Sequence, residues 1–172
     1  MTVAGSGSEY PDAASAAPED DMTAPDLAPL TEGEAVAHSD NTSFVTKLDI
    51  AGHTMVADEP VSVGGTDTGP SPYGLLSGAL ASCTAMTLHA YAKMKSLAIT
   101  DIRVKVKHEK IHEVDCINCE KDDSAKVDCL KRTIWIDGEI DDKARERMLQ
   151  IANRCPVHRT LESQIRIVTN VG

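Results

Sequence analysis

Residues 73–92 contain no Lys, Arg, Asp or Glu. Apolar side chains recur through them at helical spacing: Leu75, Leu76, Ala79, Leu80, Cys83, Met86, Ala90 and Tyr91, continuing to Met94. The length would reach across a bilayer, but Ser77, Ser82, Thr84, Thr87, His89 and many Ala and Gly residues make the stretch only weakly hydrophobic on transfer scales. It predicts a long central helix buried on most sides, not a membrane span. The preceding segment, Gly64-Gly65-Thr66-Asp67-Thr68-Gly69-Pro70, must be a loop, because its glycines permit unusual backbone angles and prolines forbid a continuing helix. Ser71 then serves as N-cap, with Pro72 in the first turn.

The remaining elements follow from periodicity. Residues 43–50 alternate, with Phe44, Thr46, Leu48 and Ile50 opposite Val45, Lys47 and Asp49; a turn at Ala51-Gly52-His53 leads into a second strand over residues 53–57. Ile102, Val104 and Val106 alternate with Arg103, Lys105 and Lys107, which is the pattern of a half-covered sheet. Residues 130–138 repeat it, with Ile134 and Ile136 opposite Thr133, Trp135 and Asp137. The polar segment from Cys116 to Asp128 reads as a loop or hairpin tip. A second helix starts at Asp141 and Asp142 and ends at Arg154, with Ala144, Met148, Leu149 and Ile151 inward and end charges that suit the helix dipole. A last strand is expected over residues 164–169. Hairpin, long helix, two long strands, helix and strand make an α+β protein.

Charge is placed unevenly. Residues 1–40 hold nine acids and no Lys or Arg, so residues 41–172, with seventeen basic and eighteen acidic side chains, carry a net charge of only −1. The first segment, with Gly5, Gly7, Pro11, Pro18, Pro25 and Pro29 and no periodic large apolar residues, reads as a disordered acidic tail, with a domain boundary near Ser39 and one domain over 41–172. An acidic tail on a near-neutral domain, with only Phe44, Trp135 and three tyrosines for stacking, excludes nucleic-acid binding. Arg103, Lys105, Lys107, Lys110 and Lys131 read as a solvated sheet face. No phosphate-binding loop, nucleophile-elbow serine or dinucleotide fingerprint is present. The first thirty residues lack the basic start and apolar stretch of a secretory signal, and five cysteines is an odd number, so a cytoplasmic protein with thiols used for chemistry or metal is expected.

Three thiol settings stand out. Cys83 lies mid-helix on the apolar face, where a buried core thiol is the simplest reading. Cys155 precedes Pro156, which opens a short helix to Glu162, and backbone N–H groups with Arg154 and Arg159 nearby favour a thiolate. In the constellation of His108, His112, Cys116, Cys119 and Cys129, Cys116-Ile117-Asn118-Cys119 has the spacing of a zinc-chelating pair that His112 or Cys129 would complete; a redox dithiol and an unremarkable loop are the other readings.

Gly64-Gly65-Thr66-Asp67-Thr68-Gly69-Pro70-Ser71-Pro72-Tyr73, Ala81-Ser82-Cys83-Thr84-Ala85-Met86-Thr87 and Cys155-Pro156-Val157-His158-Arg159-Thr160-Leu161 together resemble the OsmC and organic hydroperoxide resistance family, in its branch with this C-terminal motif. The resemblance spans roughly residues 42–169. It implies an OsmC-like fold: an intertwined homodimer with long central helices between curved antiparallel sheets, and a site near the dimer interface. It also implies a thiol-dependent peroxidase of oxidative-stress defence, with no cofactor. Cys83 would attack the hydroperoxide to give a sulfenic acid, Cys155 would close a disulfide, and a small thiol or lipoyl-type dithiol would reduce it. The alternative is a non-catalytic sensing or zinc-binding module using Cys116 and Cys119. The chain departs from the family at two points: no Arg precedes Arg103, and Tyr73 and Gly74 stand where relatives often carry Glu. A cation for Cys83 would have to come from Lys47, His53, His158 or Arg159; without one, Cys155 is the better thiolate and the two roles exchange.

Overall fold

A computed structural model describes residues 29–112 and 126–171. Three antiparallel strands, β1 (Ala35–His38), β2 (Thr46–Ile50) and β3 (His53–Ala57), form one sheet in chain order. Strand β1 lies ahead of the boundary expected near Ser39: its four residues pair with β2, Ala35 opposite Ile50 and His38 opposite Lys47. The long helix α1 (Pro72–Met94) follows, capped as expected by Ser71, whose hydroxyl accepts from the Gly74 N–H at 3.1 Å. Strands β4 (Ala98–His112) and β5 (Lys126–Glu139) make a long two-stranded antiparallel ribbon. Helices α2 (Asp142–Ala152) and α3 (Pro156–Leu161) close the chain's regular structure.

The core lies where α1 and α2 meet the ribbon. Leu80, Thr84, Leu88 and Ala92, spaced by four, form the buried stripe of α1. Leu88 and Ala92 join Met148, Ile151 and Ala152 of α2 and Ile136 of β5, with Ile99, Ile102 and Ile134 packed around them. The even-numbered face of β4 and β5 is thus the covered one, as the alternation requires. Asp141 caps α2 by accepting from Ala144 N–H at 2.6 Å, and Arg145 ties α2 to the ribbon by donating to the Ile136 carbonyl at 2.7 Å. The outer face carries basic residues in ion pairs, Arg103 with Asp101 and Asp137 and both Lys107 and Lys131 with Glu109; Lys110, expected with them, pairs with Asp128 on the even-numbered side, where the ribbon's far end is exposed.

Several expectations are corrected. Helix α1 is buried along one stripe only, and Met86 and Met94 are 70 % and 67 % exposed. Within one chain the ribbon and two short helices cannot cover a 23-residue helix on all sides. Leu149 faces outward, since only the Met148 and Ile151 side of α2 meets α1. Asp128 belongs to β5 and not to a loop. Residues 164–169 form no strand: the segment is extended, with Ile165, Ile167 and Val168 exposed, because a strand needs a hydrogen-bonded neighbour and none of the described strands lies beside it. Most of the acidic tail, and Cys116 and Cys119, lie outside the described residues.

The loop between β3 and α1 is organised by one carboxylate. Asp58, 2 % exposed, accepts from the backbone N–H groups of Glu59, Thr66 and Thr68 and from both threonine hydroxyls. The Thr66 hydroxyl and these N–H groups hold its carboxyl far below the usual range despite burial. The turn brings the backbone of Gly65 against the Glu59 carbonyl, where a Cβ would collide. This pinned loop sets where α1 begins, and hence the height of Cys83 along it.

Candidate active site

Cys83 and Cys155, 72 positions apart in sequence, meet where α1 passes the start of α3. Cys83 follows the buried stripe by three residues from Leu80 and precedes Thr84, so it sits at the stripe's edge and is partly exposed. Cys155 is the residue before α3, where the chain turns out of α2 in extended conformation, and it is fully buried. The Asn153-Arg154 turn, closed by Arg154 N–H to the Ile151 carbonyl at 2.8 Å, and the Pro156 start of α3 fix this position.

The two thiols act on each other, and their acidities are driven apart. Burial pushes the Cys83 thiol up, and the bond to Cys155 pushes it further, against opposing contacts from Val157 N–H and the Thr87 hydroxyl. Burial also works against ionising Cys155, but the Cys83 thiol, the backbone N–H groups of His158 and Val157 and the Thr84 hydroxyl outweigh it, so Cys155 lies below the ordinary thiol value. Of the pair, Cys155 is the more acidic thiol.

Arg132 of β5 is the cation at this site, and the sequence reading missed it. Its Nη1 donates to Thr84 Oγ1 at 3.0 Å and to the Ala152 carbonyl at 3.1 Å, and its Nη2 donates to Asn153 Oδ1 at 2.7 Å. Desolvation lowers its pKa, while the charges of Cys155 and Glu162 oppose that. The signal was present: Arg132 shares the parity of Leu130, Ile134 and Ile136, so an arginine stands on the inward face of the ribbon. Of the cations expected instead, Arg159 and Arg154 are exposed, and the His158 ring pairs with Glu162 at 3.0 Å.

A cavity of about 280 Å³ lies near the pair, lined by Leu80, Ile111, Val127, Cys129, Leu130 and Leu161, with Asp128, His158 and Glu162 as its polar wall. Leu80 and His158 lie three residues from Cys83 and Cys155, so the cavity opens about one helical turn from the sulfurs. The metal-ligand set proposed from sequence is not assembled by its described members. His108 Nε2 bonds Asp128 at 2.8 Å and its ring stacks on Tyr73 at 4.2 Å, while Cys129 lines the cavity. Among the described residues no three His, Cys, Asp or Glu side chains could share a metal ion, and no helix is long and apolar enough to cross a membrane.

Solved structures share this architecture. A proposed osmotic stress induced and detoxification response protein from Psychrobacter arcticus 273-4 is 20 % identical with a TM-score of 0.59, covering 78 % of this chain and 90 % of that one. An organic hydroperoxide resistance protein OsmC from Legionella pneumophila is 14 % identical with a TM-score of 0.56, over 79 % and 92 % of the two chains. An OsmC-like protein from Mycoplasma pneumoniae is 17 % identical with a TM-score of 0.58, over 75 % and 86 %. At these identities the likeness speaks to the fold. No curated protein matches the sequence. The model of the OsmC-like proteins matches residues 65–170, from the pinned loop through both thiols to the C-terminal segment, and this chain belongs to the OsmC-like protein family.

Proposed function

We propose that the protein is a thiol-dependent peroxidase that reduces organic hydroperoxides through Cys83 and Cys155. The observation that carries this reading is the meeting of two mutually interacting thiols 72 positions apart, one partly exposed and one buried and the more acidic. Such a pair reduces ROOH to ROH and water while forming one disulfide, and the exposed member is the one an external dithiol can reach. The substrate class is supported by relatives of this fold from Legionella pneumophila and Elizabethkingia anophelis, both described as organic hydroperoxide resistance proteins. The apolar lining of the cavity near the pair suits an organic tail.

A homodimer belongs to the same proposal. The exposed face of α1 with Met86 and Met94, the exposed Ile165, Ile167 and Val168, and the weak packing of the β1–β3 sheet on the rest of the chain all support a second copy as the missing cover. A location in the cytoplasm is kept as the setting in which free thiols persist.

The test is consumption of cumene hydroperoxide with a dithiol reductant, comparing wild type, Cys83→Ser and Cys155→Ser. Turnover lost in Cys83→Ser, with a sulfenic acid trapped on Cys83 in Cys155→Ser, supports the reading. Wild-type rates no greater than reductant alone overturn it. Light scattering at micromolar protein tests the dimer, and a monomer mass would remove that part.

A further inference from the structure

Among the described residues Arg132 pairs with no carboxylate. It lies half-buried on the inward face of β5, and its hydrogen bonds go to three neutral acceptors, Thr84 Oγ1, the Ala152 carbonyl and Asn153 Oδ1. Glu162 senses its charge, but that carboxylate is 71 % exposed and bonded to His158. A partly buried guanidinium is costly unless an anion faces it. The charge of Cys155 acts on Arg132, and the two residues meet at one acceptor, the Ala152 carbonyl, to which Arg132 Nη1 donates at 3.1 Å and the Cys155 N–H at 3.3 Å.

We propose that Arg132 is the positioning cation of the thiol pair, holding Cys155 as a thiolate by its own charge and through the Thr84 hydroxyl. Thr84 is fully buried between them. Its oxygen accepts from Arg132 at 3.0 Å and its hydroxyl donates to the Leu80 carbonyl at 2.7 Å, and the Thr84 hydroxyl also favours the ionised form of Cys155. The charged and titratable groups that act on Cys155 are therefore Cys83 from α1 and Arg132 from β5, with Glu162 at the end of α3 acting on Arg132. The acidity of Cys155 agrees with this arrangement.

The inference rests on the peroxidase reading only for its chemistry. In that chemistry the Cys83 sulfur attacks the terminal oxygen of ROOH while its proton passes to Cys155. The O–O bond breaks, RO⁻ takes that proton and leaves as ROH, and Cys155 is a thiolate again. It attacks the Cys83 sulfenic sulfur, the S–S bond forms, and the departing hydroxide takes a proton from solvent. A dithiol then attacks the exposed Cys83 sulfur, Cys155 leaves as a thiolate facing Arg132, and the dithiol's second sulfur releases Cys83 as the dithiol itself becomes a disulfide. Arg132 thus serves the resolving and leaving-group steps, a different place from a cation set directly against Cys83.

The experiment is thiolate absorbance at 240 nm against pH in protein carrying Cys116→Ser, Cys119→Ser and Cys129→Ser, so that only the pair titrates. We expect a titration below the ordinary thiol value that disappears in Cys155→Ser. Arg132→Gln should move its midpoint up by about 1–3 units, as expected for loss of a neighbouring opposite charge, cutting the thiolate present at neutral pH by about tenfold or more. Arg132→Lys should restore part of the shift. Thr84→Val, which keeps the volume, should raise the midpoint by a smaller amount and carries the test with Arg132→Lys if Arg132→Gln fails to fold. A midpoint unmoved in the folded variants, or no low titration in the parent, overturns the inference. The titration needs no peroxide, so a shifted midpoint without hydroperoxide turnover would sink the peroxidase and leave the Arg132 assignment standing.

Discussion

Closing the Cys83–Cys155 disulfide should stabilise the fold, and the amount follows from where the two residues lie. The bond would link α1 to the start of α3 and close a loop of 72 positions. Chain-entropy loss in the unfolded state for such a loop is worth about 4 kcal/mol at 25 °C. Native-state strain should be small, because the two thiols already lie close enough to act on each other's acidity. One cost subtracts from the gain: oxidation removes the thiolate that faces Arg132, leaving a half-buried guanidinium with neutral acceptors alone. The expected net gain is therefore about 2–4 kcal/mol, or roughly 4–16 °C in thermal midpoint for a chain of this size. The assay is thermal unfolding by circular dichroism of the variant retaining only Cys83 and Cys155, reduced or treated with one equivalent of hydroperoxide, with the linkage checked by peptide mapping. An oxidised form carrying the mapped disulfide but melting at or below the reduced form would refute the reasoning, since it would mean that the observed contact is not on the path to the bond.

Leu88→Ala, at a fully buried position of the α1 stripe, should cost about 2–5 kcal/mol in urea unfolding, with the slope unchanged. Gly138 has φ +140° opposite the bulge between Ile99 and Asp101, and a Cβ there would lie 2.7 Å from Ile99 Cα; Gly138→Ala should lose about 1–3 kcal/mol in the same measurement. Lys131 and Lys107 hold the Glu109 carboxyl down to about 2, so the paired carboxylate stabilises the fold above its unfolded value near 4.5 and loses that contribution as pH falls toward 2. Glu109→Gln should flatten the acid limb of a stability-against-pH curve in that window, and an unchanged limb would show that the pairs are screened away.

The family motifs, the long helix with its Ser71 cap and the two alternating strands were legible because each is a local pattern. The spacing of Leu80, Thr84, Leu88 and Ala92 states a helix face, and the alternation of Ile134 and Ile136 states a sheet face, without reference to any distant residue. Burial was less legible. A helix with no charges looks covered on every side, yet how much of it is covered depends on what else the chain can bring, and here that is one ribbon and two short helices. The segment at 164–169 shows the same limit: Ile165 and Ile167 have the right period, but the period does not supply a neighbouring strand.

The electrostatics of the site belonged to tertiary structure altogether. Sequence placed Cys155 before a proline and Cys83 in a helix, and sought the cation among residues near the motifs or in the N-terminal strands. Only the packing of β5 across α1 and the end of α2 brings Arg132 to Thr84, Ala152 and Asn153, three residues 20 to 48 positions away. The residue types and their periods were written locally, so the sequence by itself determined the family, the long helix and the two long strands. Which thiol carries the charge depends on distances between elements and on the solvent they exclude, and those exist only once the chain has folded.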